Sequence, residues 1–188
     1  MNTIAIVTLP SLIQQCQAGD ARAIEELVVT HTPAVYRLAL SLLADPLEAD
    51  EATQDALLHA LAALKTFRGN SAFTTWLYAI TLNVCRSRLR QRRVRARLTQ
   101  TLQAVFRRPP PPEDLALQNV ANDAVWQAIQ TLTDPLREPI LLRYYHDLPI
   151  ADIARVVGVS ERTIHTRLSA AHERLRVLLG RQQMFDQG

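Results

Sequence analysis

Glycine is scarce in this chain, five residues in 188, and none of them stands in a G-x-G-x-x-G or G-x-x-x-x-G-K-[ST] arrangement. Backbone cradles for nucleotide phosphates are therefore excluded. Neither G-x-S-x-G nor H-E-x-x-H occurs, and no nucleophile, base and metal ligands fall at working spacing. The sequence predicts no enzyme, no cofactor and no small-molecule substrate. The only cysteines are Cys16 and Cys85, with no C-x-x-C and no histidine nearby at metal-ligand spacing. Neither a disulfide framework nor a zinc site is expected, and both thiols read as buried. No apolar run approaches the ~20 residues that cross a bilayer. The opening segment MNTIAIVTLPSLIQQ lacks the basic flank of a secretory signal, so the expectation is a cytoplasmic protein without membrane insertion.

The most informative absence is of one sign of charge. From Ala56 to Pro112 there is no carboxylate. The same stretch holds Lys65, Arg68, Arg86, Arg88, Arg90, Arg92, Arg93, Arg95, Arg97, Arg107 and Arg108. Immediately before it, Asp45, Glu48, Asp50, Glu51 and Asp55 form an acidic cluster. The net charge of +3 conceals this polarity. One stretch repels phosphate and the next attracts it.

What is present is apolar enough, at 48%, for one large domain or two small ones. The apolar positions recur at helical spacing, with no convincing alternating strand, so the fold class is all-α. Gly19 and Asp20 read as a helix stop and an N-cap. Pro33 is read as the start of a new helix, because an interior proline costs about 3 kcal/mol. Asp45 and Pro46 open the next helix by the same logic, with Leu57, Ala60, Leu61 and Leu64 continuing its stripe. Residues 67–71, FRGNS, form a loop. A long helix follows from about Phe73, burying Trp76, Leu77, Ile80 and Val84 before it becomes an arginine-rich rod. The run RRPPPP, residues 107–112, marks a stiff, Pro-rich linker between two helical modules. Beyond it, residues 115–130, 135–144, 149–157 and 160–179 read as helices.

In the second module, Ala154, Gly158 and Ile164 have the spacing of a helix-turn-helix: a small residue at the crossing, a glycine for the left-handed turn, and an aliphatic anchor. Ser160 caps the second helix and Glu161 suits its positive end. With Ile153, Val157, Ile164, Leu168 and Leu175 inward, Arg162, Thr163, His165, Thr166 and Arg167 remain outside to read a major groove. In the first module, Phe67, Phe73, Trp76 and Tyr78 adjoin a loop and precede closely spaced arginines. Arginines neutralise phosphates and aromatic faces stack on unpaired bases, which points to single-stranded or melting DNA. Trp76, at helical spacing with Ile80, reads as core, whereas Phe67 and Phe73 stand open between core and base platform. The carboxylates of residues 48–55, together with Gln54, complement either a helix dipole or a basic protein surface.

The order of these motifs, QAGDARAIEELV, EADEATQDALLHAL, FRGNSAFTTWLYAITLN with its arginine tail, and LTDPLREPILLRYYHDLPIADIARVVGVSERTIHTRL, resembles the extracytoplasmic-function group of RNA polymerase sigma factors. The resemblance implies a region 2 helical bundle at 1–98, a linker at 99–122, a region 4 helix-turn-helix at 123–180 and a tail at 181–188. It implies that Asp50, Glu51, Gln54 and Asp55 bind the clamp helices of the polymerase largest subunit, with region 4 near the flap. It assigns Phe67, Arg68, Asn70, Ser71, Phe73 and Asn83 to capture of the minus-ten strand. Arg86, Arg88, Arg90, Arg92 and Arg93 would lie on phosphates, and Arg162, Thr163, His165, Thr166 and Arg167 would read the minus-thirty-five element. An anti-sigma factor is the further partner implied. Arg162, His165 and Ala170 stand where such proteins usually carry a glycine, a basic residue and an arginine, so the promoter sequence does not transfer. The competing readings are a helix-turn-helix activator with an N-terminal helical sensor or dimerisation module, and an adaptor that binds polymerase without DNA.

Overall fold

The computed structural model describes the backbone of residues 8–106 and 123–185, and side chains within 8–98 and 124–180. The linker expected at 107–112 and the helical stretch expected at 115–122 lie outside these residues. Among the described residues the secondary structure is entirely helical. Packing divides the chain into two compact units, Met1–Arg86 and Ser87–Gly188.

The first unit begins with α1, Leu9–Gln17, which buries Leu12, Ile13 and Cys16. It ends where Gly19 adopts φ +91, and the Asp20 amide bonds back to the Gln15 carbonyl at 3.1 Å. The Asp20 carboxylate then accepts from the amides of Arg22 (2.9 Å) and Ala23 (3.1 Å) and starts α2, Ala21–Leu43. Here the structure corrects the expectation at Pro33, which lies inside α2 and begins no new helix. Ala23, Leu27, His31, Val35, Leu38 and Leu42 form one buried stripe that passes through the proline. Burying this stripe as a unit outweighs the local cost. The carbonyl that Pro33 leaves without its helical donor belongs to Val29, whose side chain is exposed.

Ala44 closes α2 in the left-handed region at φ 55. The Asp45 side chain then accepts the Glu48 amide at 2.9 Å to open α3, Pro46–Ala63. α2 packs extensively on α3. The reason lies in α3's inner face, where Ala49, Ala52, Ala56 and Ala60 are all buried. Side chains this small let two helix backbones approach closely. A 3-10 turn, Leu64–Thr66, leads into the loop, and α4, Phe73–Phe106, follows. Leu77, Leu82, Val84 and Cys85 of α4 are buried, while Trp76 and Ile80, also expected inside, are only partly so. Burial raises the pKa of the Cys16 thiol, and the Asp20 carboxylate adds to the effect.

The second unit takes in the remainder of α4 with α5, Asp123–Gln130, α6, Asp134–Tyr144, α7, Ile150–Val157, and α8, Glu161–Phe185. Ile140, Leu141, Leu142, Ile153, Ile164 and Ala171 form its centre. Trp126 meets Tyr145 edge-on at 5.2 Å. The Tyr144 hydroxyl lies 3.0 Å from Nε2 of His172. Arg137, itself buried, holds the Asp134 carboxylate at 2.9 Å. α8 runs through Gly180 to Phe185, beyond the end expected near Leu179. A glycine costs a helix only about 1 kcal/mol, and the following Arg181, Gln182 and Gln183 are good helix formers.

Candidate nucleic-acid and protein interfaces

Three surfaces carry the chemistry read from the sequence. The first is the outer face of α3. Since alanines fill the inner face, Asp50, Glu51 and Gln54 point to solvent and Asp55 lies at the margin. Gln54 donates to Asp50 at 3.1 Å, which fixes part of the row. The sequence reading missed two leucines here. Leu47 and Leu58 are 72% and 64% exposed, and with Glu51 and Gln54 they fall at i, i+4, i+7 and i+11 on one face. Apolar groups at both ends of a carboxylate row suit a protein partner better than solvent. No local sequence signal marks them, since the leucines are surplus to the core only once the alanines are known to fill it.

The second surface is the loop after the 3-10 turn. Gly69 takes φ +72 and turns the chain, leaving Arg68 and Asn70 exposed and Ser71 partly so. The aromatics form one cluster. Phe73 meets Phe67 edge-on at 5.4 Å and lies tilted at 5.5 Å from Trp76 and 5.0 Å from His31, and Phe67 meets Trp76 at 5.2 Å. Phe73 is only 4% exposed. Of its two open readings the structure favours core: Phe73 supports the loop from beneath. Phe67 and Trp76 keep part of their rings at the surface. Trp76, Asn83 and Arg90 recur every seventh residue, a spacing that drifts only ~20° around a helix. Trp76 and Asn83 thus share one face of α4 within the first unit.

Beneath the cluster lies His31, 8% exposed and surrounded by Leu27, Val28, Leu57, Ala60, Leu61, Leu64 and Leu77. Its Nε2 has no hydrogen-bond partner among the described residues. Desolvation by this apolar shell lowers its pKa below the ordinary value of 6.5.

Along α4, Arg90, Arg92, Arg95 and Arg97 are exposed and Arg86 and Arg88 partly so. Within the second unit Arg93 pairs with Asp134, so this arginine must exchange one anion for another to reach a phosphate.

The third surface is the start of α8. Gly158 takes φ 81 and ψ 37, and its amide and that of Val159 both bond to the Ala154 carbonyl, at 2.9 and 3.1 Å. The Ser160 hydroxyl accepts the Thr163 amide at 3.2 Å, the expected cap. Ile153, Ala154, Val157, Ile164 and Leu168 are buried and Leu175 partly so. Arg162, His165 and Thr166 are exposed, with Thr163 and Arg167 partly so. Two hydroxyls are already engaged: Thr163 with Ser160 at 2.9 Å, and Thr166 with the Arg162 carbonyl at 3.0 Å. Arg162, His165 and Arg167 are the longer side chains on this face.

Among the described residues no group of His, Cys, Asp or Glu could hold a metal ion. None of the helices among them is long and apolar enough to cross a membrane.

Comparison with known proteins matches two separate stretches of the chain. Residues 27–95 match the family description Sigma-70 region 2, and residues 122–175 match Sigma-70, region 4. The chain is 33% identical over 171 residues to the RNA polymerase sigma-H factor of Pseudomonas aeruginosa, covering 86% of this chain and 89% of that one. It is 35% identical over 163 residues to the ECF RNA polymerase sigma factor SigM of Mycobacterium tuberculosis, covering 87% and 80%. Among solved structures it is similar to CnrH in complex with the cytosolic domain of CnrY, with 27% identity, a TM-score of 0.66, and coverage of 90% of this chain and 95% of that one. It is also similar to the sigma factor RpoE in complex with the anti-sigma factor NepR from Bartonella quintana, with 26% identity, a TM-score of 0.65, and coverage of 85% and 98%.

Proposed function

Because the chain belongs to the extracytoplasmic-function group of the sigma-70 family of RNA polymerase sigma factors, we propose how its three surfaces divide the work of initiation. The outer face of α3, with Asp50, Glu51, Gln54 and Asp55 framed by Leu47 and Leu58, docks the clamp helices of the largest polymerase subunit. The loop carrying Phe67, Arg68, Asn70 and Ser71 captures the unpaired minus-ten strand, Phe73 holds that loop from below, and Asn83 continues the same face. Arg86, Arg88, Arg90, Arg92 and Arg93 neutralise phosphates. The start of α8 reads the minus-thirty-five duplex through Arg162, His165 and Arg167, with Thr163 and Thr166 beside them.

Binding energy drives the opening step. Flipping a base out of the duplex costs a few kcal/mol, and stacking returns about 1–3 kcal/mol per base. Once polymerase holds both modules over one promoter, the second contact becomes effectively intramolecular, so neither module needs high affinity alone. No chemical reaction is assigned to the chain; it acts in the cytoplasm, on promoter DNA. By likeness to RpoE, described in complex with the anti-sigma factor NepR, an anti-sigma factor holds it inactive.

The observation that carries this reading is the succession along the chain of acidic helix, aromatic loop and basic helix, followed by a capped helix-turn-helix. The test is transcription by purified core polymerase from a library of randomised promoters, with and without this protein. Initiation that depends on the protein, from promoters sharing two spaced elements, is the expected result. If the protein binds duplex DNA alone, and alters initiation only when another sigma factor is supplied, an activator function takes its place.

A further inference from the structure

Residues 68–71 make no backbone hydrogen bond to another backbone group among the described residues. A loop so poor in its own bonds needs support from outside to hold one shape. The support comes from the last residue of α1. The side-chain amide of Gln17 donates to the Leu64 carbonyl at 2.9 Å and to the Phe67 carbonyl at 3.2 Å. These are the carbonyls at the start of the 3-10 turn and at the first residue of the loop. The Phe67 amide itself bonds to Leu64 at 3.1 Å. One side chain therefore clamps both ends of the bend from which the loop departs. α1 and the loop also enclose a recess of about 390 Å³, with Leu9, Ile13 and Gln14 on one wall and Arg68, Gly69 and Ser71 on the other. Gln17 lines the same recess.

We propose that Gln17 is a positioning residue for strand capture: its amide fixes the spacing between α1 and the 67–71 loop, and thereby the shape of the recess that receives an unpaired base. This rests on the loop's assignment to single-stranded DNA. Gln17 touches no DNA in this account and acts only through the two carbonyls. What matters is a donor at the end of a side chain of this length. Gln17→Met keeps the length and removes both N–H groups, whereas Gln17→Lys restores donors.

The test measures three quantities on the full chain. One is the affinity of reconstituted holoenzyme for a single-stranded oligonucleotide bearing the non-template minus-ten region of a library-selected promoter. The second is the affinity for core polymerase, and the third the backbone order parameters of residues 67–71 by nuclear magnetic resonance. Gln17→Met is expected to weaken strand binding roughly tenfold, the loss of two neutral hydrogen bonds. It lowers the loop order parameters and leaves core affinity unchanged. Gln17→Lys recovers most of both losses. Strand affinity within about twofold of wild type in Gln17→Met, or a proportional fall in core affinity, overturns the proposal. An Arg68→Ala, Asn70→Ala variant separates the two ideas. If it binds the strand as wild type does, the loop's assignment fails, while the order parameters still decide whether Gln17 clamps it.

Discussion

His31 shows how one residue ties the loop to solution conditions. Its imidazole lies beneath Phe73 in an apolar shell that holds its pKa below 6.5. In the unfolded chain it titrates near its ordinary value. As the pH falls through about 6.5 the unfolded state binds a proton that the folded state does not, so stability is full above that value and declines below it. The decline continues until the folded-state pKa is reached. His31→Leu removes this component while keeping the site apolar. Thermal melts at about pH 7.5 and 5.5 should show wild type losing more than the variant on acidification. Parallel losses in both would assign the sensitivity to other groups. This pattern could not be read from sequence. A histidine followed two residues later by proline looks like a helix boundary, and only the continuity of α2 puts it on the buried stripe.

At the scale of elements, the caps and turns were legible because each is a local bargain between one side chain and the backbone beside it. Asp20, Asp45, Ser160 and Gly158 all do what their types and positions predict. Pro33 was misread for the complementary reason. Its local cost is real, but the outcome was set by six buried positions spread over five turns of α2, a tertiary quantity. The exposed leucines of α3 belong to the same class of non-local fact, because a leucine is surplus to the core only once the alanine face is known to fill it. Their functional weight is open to direct measurement. Leu47→Ser and Leu58→Ser should each weaken association with core polymerase about tenfold, the scale of an apolar anchor at an interface centre. Thermal stability should hardly change, since both side chains are already in water. Unaltered core affinity in both variants would leave the carboxylates to account for docking alone.

For the whole molecule the governing feature is the separation of charge along the chain, which the order of the residues reveals and the net charge conceals. A polyanion is repelled by the carboxylates of α3 and drawn to the arginines of α4. Phosphate neutralisation has a thermodynamic signature in salt. Replacing Arg90 and Arg92 with alanine should make the dependence of log affinity on log salt shallower by roughly 0.9 per lost contact on duplex DNA, or 0.7 on single strand. Weaker binding with an unchanged slope would place those arginines off the phosphates. The division into two compact units falls within α4, between Arg86 and Ser87, and not at the proline run where the sequence announces a break; the order of motifs on either side of that run carried the family resemblance.

The alanine row of α3 has a genetic corollary. Where two helices are held together by side chains of one carbon, enlargement is the damaging change, since extra methyl groups in a packed seam typically cost 1–3 kcal/mol. Ala56→Val should therefore behave as a temperature-sensitive allele: active in the cold, and losing transcription on warming as the seam opens and the docking face on its outer side is displaced. Its suppressors should fall among the larger residues of the buried α2 stripe, as substitutions to smaller ones. A selection for revertants would then map the helix pair residue by residue in living cells.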